Sequence, residues 1–263
     1  MYCNAINEKG LGVAGLNFVG PCKYFPVAEG KKNIASFELI PYLLGNCQTI
    51  SDVKETLANA NISNESFNPN LPASELHWLI ADQSGKSIAL ESTASGMHIY
   101  DDPVNVLTND PIFPAQIEKL ADFAAVSPAK PKNTIVPNVN LNMYSRGLGT
   151  RHLPGGMDSS SHFVKVTFTL AHTPKSDDET ESVTNFFHIL HSVEQAKGLD
   201  EIEPGKFEYT MYSDCMNLDK EVLYFTTYDN NQISAVDMNK EDLNCSDLIT
   251  YNLFKKQAIN FEN

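Results

Sequence analysis

An α+β fold built on antiparallel sheets is what this sequence predicts, and three observations predict it. Strand-like runs come in clusters, near residues 11–18, 76–108 and 207–238, with helical runs between them in pairs, an order that suits α+β rather than βαβ units. The middle cluster contains a hairpin signal, two alternating runs around Ser84-Gly85. Across 263 residues a 42% hydrophobic share with 20% charged residues is ordinary globular composition, sufficient for a sizeable core.

Taken in order, Asn7-Glu8-Lys9-Gly10 has turn character, and Leu11 to Phe18 suits a buried strand. Gly10, Gly12 and Gly15 do not make a dinucleotide fingerprint, because no GxGxxG opens a helix; close backbone approach or a bulge explains them better. Ser36 to Gly45 reads as a helix capped by Ser36, with Pro41 in or near its first turn. Ser51 to Ala58 reads as a second helix, with Ser51 as its cap. Residues 59–74 are rich in Asn, Ser and Pro and predict a long loop. Phe67 and Leu71 interrupt it, either packing against the body or forming an apolar lip over a pocket.

Leu76–Asp82 and Lys86–Ser92 predict the hairpin, and Met97–Tyr100 and Val104–Thr108 continue the strand pattern. Residues 127–142 predict a surface loop, and 161–170 fits helix or strand equally. Ser182 to Lys197 is the strongest helix, with Val183, Phe186, Phe187, Leu190 and Val193 on one face and Gly198 past its end. Strands return at Phe207–Ser213, Val222–Tyr228 and Gln232–Met238. No repeat or linker divides the chain, so 1–263 reads as a single domain.

Nineteen basic against 33 acidic residues give a net charge of −14, which argues against a nucleic-acid partner. No apolar run is long enough for a membrane span and no signal peptide opens the chain, so a cytoplasmic protein is expected. Five scattered cysteines without a CxxC give no support to a zinc or dithiol site. His188 and His191 could face a metal from one helix, but no HExxH or carboxylate partner accompanies them. No metal and no cofactor is expected. Composition and periodicity stop at an α+β domain.

The motifs go further. Asn7-Glu-Lys-Gly-Leu-Gly-Val-Ala-Gly-Leu-Asn17-Phe, Phe37-Glu-Leu-Ile-Pro-Tyr-Leu-Leu-Gly45 and Leu76-His-Trp-Leu-Ile-Ala-Asp82 resemble bacterial choloylglycine (bile salt) hydrolases. So do Val106-Leu-Thr-Asn109-Asp-Pro111, Tyr144-Ser-Arg-Gly147, Leu153-Pro-Gly-Gly156, Phe186-Phe-His-Ile-Leu190, Ser192-Val-Glu-Gln195 and Tyr228-Asp-Asn230. Penicillin V acylases share these motifs less closely. The resemblance implies an N-terminal-nucleophile fold, a four-layer αββα sandwich of antiparallel sheets, and a homotetramer. It implies hydrolysis of the amide joining a steroid acid to glycine or taurine. The nucleophile would be a cysteine at the mature N-terminus, with its own α-amine as base. By the same resemblance Asn17 helps form the oxyanion hole and Asn109 is the second site asparagine.

Two departures matter. The family places a further segment ahead of Asn7-Glu-Lys-Gly, carrying the nucleophile with its tuning arginine and aspartate, so the fold is expected to be incomplete at its N-terminus. Cys3 does not replace that nucleophile, because it falls in the family's chain interior and the bulky Tyr2 should keep Met1 in place. The family's Ser-Arg-Phe is here Ser161-His162-Phe163, and a histidine offers neither the permanent charge nor the forked donors of arginine. His162 is therefore not expected to be catalytic. The expectation is a bile salt hydrolase homologue that is inactive as this chain alone. Alternatives are a bile-acid-binding remnant and a penicillin V acylase-like amidase. Phe67, Leu71 and Leu76 are the candidate apolar wall for a conjugated bile salt.

Overall fold

The computed structural model describes residues 2–253 and 256–263; Met1, Phe254 and Lys255 lie outside the described residues. In chain order the strands and helices are β1 (Asn4–Ile6), β2 (Leu11–Asn17), β3 (Lys32–Ala35), α1 (Leu39–Asn46), α2 (Ile50–Leu57), β4 (Ala60–Ser63), β5 (Leu76–Asp82), β6 (Ser87–Thr93) and β7 (Gly96–Asp102). They continue with α3 (Phe113–Lys119), α4 (Ser159–His172), α5 (Glu179–His191), β8 (Asp200–Glu203), β9 (Lys206–Glu208), β10 (Tyr212–Asn217), β11 (Val222–Thr227) and β12 (Asn230–Asp237).

A five-stranded sheet runs β1-β2-β5-β6-β7 with every neighbouring pair antiparallel. Its two faces follow from the period of two along each strand. Leu11, Val13, Trp78, Ile80, Ile88 and Leu90 point one way and are fully buried against Leu39 and Leu43 of α1 and Val53 and Leu57 of α2. Each such side chain contributes about 1.5–3 kcal/mol by leaving water. Leu16, Leu79, Ala89 and Tyr100 point the other way, toward Phe113 of α3 and Phe163 of α4. A second antiparallel sheet, β10-β11-β12, is backed by Val183 and Phe187 of α5. A bond from Asn4 Nδ2 to Asp214 Oδ2, 2.6 Å, joins the two sheets. Antiparallel sheets flanked by helices thus give the α+β class that the resemblance implies, with helices on both faces of the five-stranded sheet.

Several local expectations need correction. Thr49 rather than Ser51 caps α2: its hydroxyl accepts from the Asp52 amide at 3.2 Å, and Asp52 Oδ2 accepts from the Thr49 amide at 2.9 Å. This reciprocal capping box satisfies two of the amides that a helix start leaves unpaired. Ser36 opens a single 3-10 turn and caps nothing with its side chain. The 59–74 segment is not all loop, because its first residues form the buried β4, which pairs in parallel with β3. Val104–Thr108 is not a strand. The chain leaves the sheet at Asp102, whose Oδ1 accepts from the Val104 and Asn105 amides, and Val106 and Leu107 are buried without a ladder.

The ambiguous 161–170 stretch is helical, within α4. The long helix runs Glu179–His191 with Asp178 as its cap, so it starts and ends earlier than the apolar stripe suggests. Phe186 is largely exposed, and Gly198 turns the chain toward β8 rather than closing the helix. Phe207–Ser213 splits between β9 and β10. Gly12 and Gly15 do mark close approach: a Cβ on Gly12 would lie 2.9 Å from Leu218 Cδ2, and one on Gly15 would lie 3.3 Å from the Cys3 carbonyl. All five cysteines are thiols, with Cys22, Cys47 and Cys215 buried.

Candidate active site

Asn17 ends β2 directly across from Leu76 at the start of β5. Ser92 and Met97, which face each other where β6 passes into β7, lie at this same end of the sheet. Asn109 sits in the connection from β7 to α3, and its carbonyl accepts from Gln116 Nε2 at 2.6 Å. Gln116 is buried and also donates to the Pro111 carbonyl at 2.7 Å, so α3 grips this connection from inside. Thr108 Oγ1 accepts from Ser159 Oγ at 3.0 Å, which ties the Asn109 segment to the first turn of α4.

Asp158 shapes that turn. Its carboxylate accepts from the Ser161 amide at 3.0 Å and the Ser161 hydroxyl at 2.6 Å, and these bonds hold its pKa below the ordinary carboxylate range. A Cβ on Gly156 would meet Asp158 Oδ2 at 2.6 Å, so a larger residue at this position in the Leu-Pro-Gly-Gly motif would displace the capping carboxylate. His162 follows one residue after Ser161, partly buried, with a buried Nε2 that has no hydrogen-bond partner among the described residues. Burial pushes its pKa down from the ordinary 6.5, Asp158 pulls it up, and Lys165 adds to the fall. The net direction is downward, so the ring is neutral at pH 7.

The asparagine amides are informative by what they do not touch. Asn7 spends its whole side chain on the backbone, accepting from the Lys9 and Leu11 amides and donating to the Leu44 and Cys47 carbonyls. Asn33 and Asn133 likewise close local turns, and Asn239 donates to the Lys220 carbonyl. Asn17 and Asn109 form no side-chain hydrogen bond among the described residues. A turn asparagine would bond its own backbone. Exposed asparagines such as Asn64, Asn138 and Asn140 are equally unbonded among the described residues, so it is the motif around Asn17 and Asn109 that marks these two.

The candidate wall is only partly assembled. Leu76 packs on the main core beside Asn17, and its carbonyl accepts from Tyr24 Oη at 3.1 Å. Phe67 and Leu71 are exposed, with Phe67 edge-on to Phe37 at 5.2 Å between centroids. Neither lines a closed cavity with Asn17. A cavity of about 810 Å³ between α2 and the β5–β6 turn lies at the opposite end of the sheet, lined by Lys54, Asp82 and Asp101 among others. Its charged lining does not suit a steroid.

Sequence reasoning missed two residues near the site. His77 and Glu91 are fully buried and touch each other across β5 and β6, one step beyond the Trp78–Leu90 pair. The signal was there to read: each is a polar residue at an inward position of a strand, and the short turn at Gly85, with φ 75°, sets the register that brings them opposite.

Comparison with known proteins identifies the family. Residues 1–251 match the model of the linear amide C–N hydrolases, choloylglycine hydrolase family. The chain is 47% identical over 253 residues to a bile salt hydrolase/transferase of Lactiplantibacillus plantarum, covering 96% of this chain and 78% of that protein. Its structure superposes on that of a conjugated bile acid hydrolase variant from Clostridium perfringens with a TM-score of 0.94 at 36% identity, covering all of this chain and 80% of the other. Penicillin V acylase from Agrobacterium tumefaciens shares the fold, with a TM-score of 0.69 at 21% identity over 90% of this chain and 66% of the other. This chain belongs to the choloylglycine hydrolase family of linear amide carbon–nitrogen hydrolases.

Proposed function

We propose that this fold hydrolyses the amide bond of glycine- or taurine-conjugated bile acids, with a nucleophilic cysteine supplied from outside these 263 residues. The observation that carries the reading is the 47% identity with a bile salt hydrolase/transferase over 96% of the chain, with Asn17 and Asn109 both free of side-chain partners among the described residues. A thiolate attacks the amide carbon and forms an S–C bond. The oxyanion that develops needs fixed donors, and Asn17 is placed as one of them. The C–N bond then breaks as the leaving amine takes a proton from the nucleophile's own ammonium group, and water cleaves the thioester to free the bile acid.

Cys3 does not fill the nucleophile's role. Its nitrogen is a peptide nitrogen behind Tyr2, so no α-amine stands beside its thiol, and its carbonyl is held by the Gly15 amide at 2.8 Å in the sheet. These residues alone therefore bind bile salts without cutting them. His162 favours the same conclusion, because a neutral ring stands where the family carries a permanent charge. Phe67, Leu71 and Leu76 form the apolar edge that meets the steroid. A homotetramer of single-domain subunits in the cytoplasm completes the reading.

The test is release of glycine or taurine from glycocholate and taurocholate. The expected result is none from the 263-residue chain and measurable release once a cysteine-bearing N-terminal segment is present. In that active form Asn17→Ala and Asn109→Ala each lower turnover about 10²–10³-fold. Release by the chain alone would overturn the external nucleophile. Absence of release from the cysteine-bearing form would overturn the amidase.

A further inference from the structure

The buried pair missed by sequence reasoning has a task. On the inner face of the five-stranded sheet, Leu16, His77, Glu91 and His98 occupy one row of cross-strand positions. His77 and Glu91 are both 0% exposed. Nδ1 of His77 lies 3.2 Å from Glu91 Oε1, and the same oxygen accepts from the Phe113 amide, the first of α3, at 2.8 Å. Phe18 stacks flat on the His77 ring, with centroids 4.3 Å apart and planes 8° apart.

Each contact leads to a candidate site residue. Phe18 directly follows Asn17. Phe113 opens α3, whose Gln116 holds the Asn109 carbonyl, and Phe113 also meets Phe163, the neighbour of His162, edge-on at 6.5 Å. One carboxylate and one imidazole thus touch Phe18 and the first residue of α3, and through α3 they reach the Asn109 and His162 segments.

Packing alone does not explain the pair. The opposite face of the same strands buries only apolar side chains, Trp78, Ile80, Ile88 and Leu90, and carries a charge only at the end of β5, where Asp82 accepts from the Ile50 amide. Burying a carboxylate is costly, and well-packed apolar residues of similar volume are often as stable or more so. Here the burial is also incomplete chemically, since His77 Nε2 and Glu91 Oε2 have no hydrogen-bond partner among the described residues. Stability is given up where the site segments converge, a pattern typical of functional regions.

We propose that Glu91 and His77 are positioning residues that fix the spacing of Asn17 and Asn109 for the amide hydrolysis, a role that rests on the reading above. They act through Phe18 and Phe113 and do not touch substrate. The test uses the double variant His77→Phe with Glu91→Leu, together with Glu91→Gln and Glu91→Asp, each made in the whole reading frame. Turnover, KM, the melting temperature and the side-chain amide resonances of Asn17 and Asn109 are measured.

The expected result is a double variant that melts no lower than the parent, with kcat reduced tenfold or more, KM within about threefold, and both amide resonances moved. Gln keeps an acceptor at the Oε1 position and returns kcat to within about threefold. Asp is one methylene shorter, loses the Phe113 contact and behaves like the double variant, so the proposal stays testable if the double variant fails to fold. Folded variants with parental kcat and unmoved amide resonances would overturn the positioning role. If even the parent releases no glycine or taurine, the bile salt reading fails instead, and the amide resonances alone decide the role of Glu91.

Discussion

Asn17, Asn109 and His162 show how far single residues could be read. Nothing in periodicity separates Asn17 from the turn-closing Asn7; only the motif around each marked one as a site residue, and the structure adds that Asn7 is fully bonded while Asn17 is not. His77 and Glu91 escaped for a physical reason: patterning records whether a position faces inward, and an inward polar residue registers only once its cross-strand partner is known. His162 was legible as a departure, and its surroundings sharpen the consequence. Its pKa is lowered first by burial, which outweighs the nearby Asp158, so its charge disappears as pH rises through a value below 6.5. Arginine keeps its charge throughout. In a form that carries the nucleophile, His162→Arg is therefore expected to raise the rate of taurocholate hydrolysis at pH 7–8, with the advantage shrinking as the pH falls and His162 gains its proton. A pH–rate profile of both forms checks this, and an advantage of the same size at every pH would mean that charge at this position is not what the reaction lacks.

Helix α2 shows what element boundaries depend on. Its start was placed two residues late because Ser51 is a good capping type just before an apolar position, yet the stronger signal was Thr49-x-x-Asp52, a reciprocal cap. The two readings predict different mutants. Thr49→Ala removes the acceptor for the Asp52 amide and should cost about 1 kcal/mol. Ser51 is the second residue of the helix, exposed, and caps nothing, so Ser51→Ala should change stability by no more than about 0.5 kcal/mol. Urea melts of the two variants decide between the caps. The sheet strands were the most legible elements, because β5 and β6 carry apolar runs on either side of the Ser84-Gly85 turn. Less legible was β4: a short buried strand inside a polar segment leaves too few residues for a period, and its partner β3 lies 28 residues upstream in register. Val104–Thr108 misled in the opposite sense, since Val106 and Leu107 are buried by α3 and α4 rather than by strand partners.

At the scale of the whole molecule the sandwich depends on how its sheets meet, and Asp214 stands at that junction. Its Oδ2 accepts from Asn4 Nδ2, which carries the edge of the five-stranded sheet onto β10. Burial pushes its pKa above the ordinary carboxylate value, and the Asn4 bond only partly opposes this. A carboxyl whose pKa is raised on folding favours the folded state while protonated. That contribution is complete below the unfolded value of about 3.9 and is lost as pH rises through the folded value. Above that folded value the ionised Asp214 therefore weakens the junction in a chain that already carries a net charge of −14. Asp214→Asn keeps an acceptor oxygen for Asn4 and removes the buried charge. Its melting temperature should exceed that of the parent at pH 7, and the difference should close as pH falls toward 4. If 1–263 is one folding unit, both proteins melt in a single transition and the comparison reads the junction directly. A difference that stays constant from pH 4 to 7 would assign the effect to packing rather than to the buried charge.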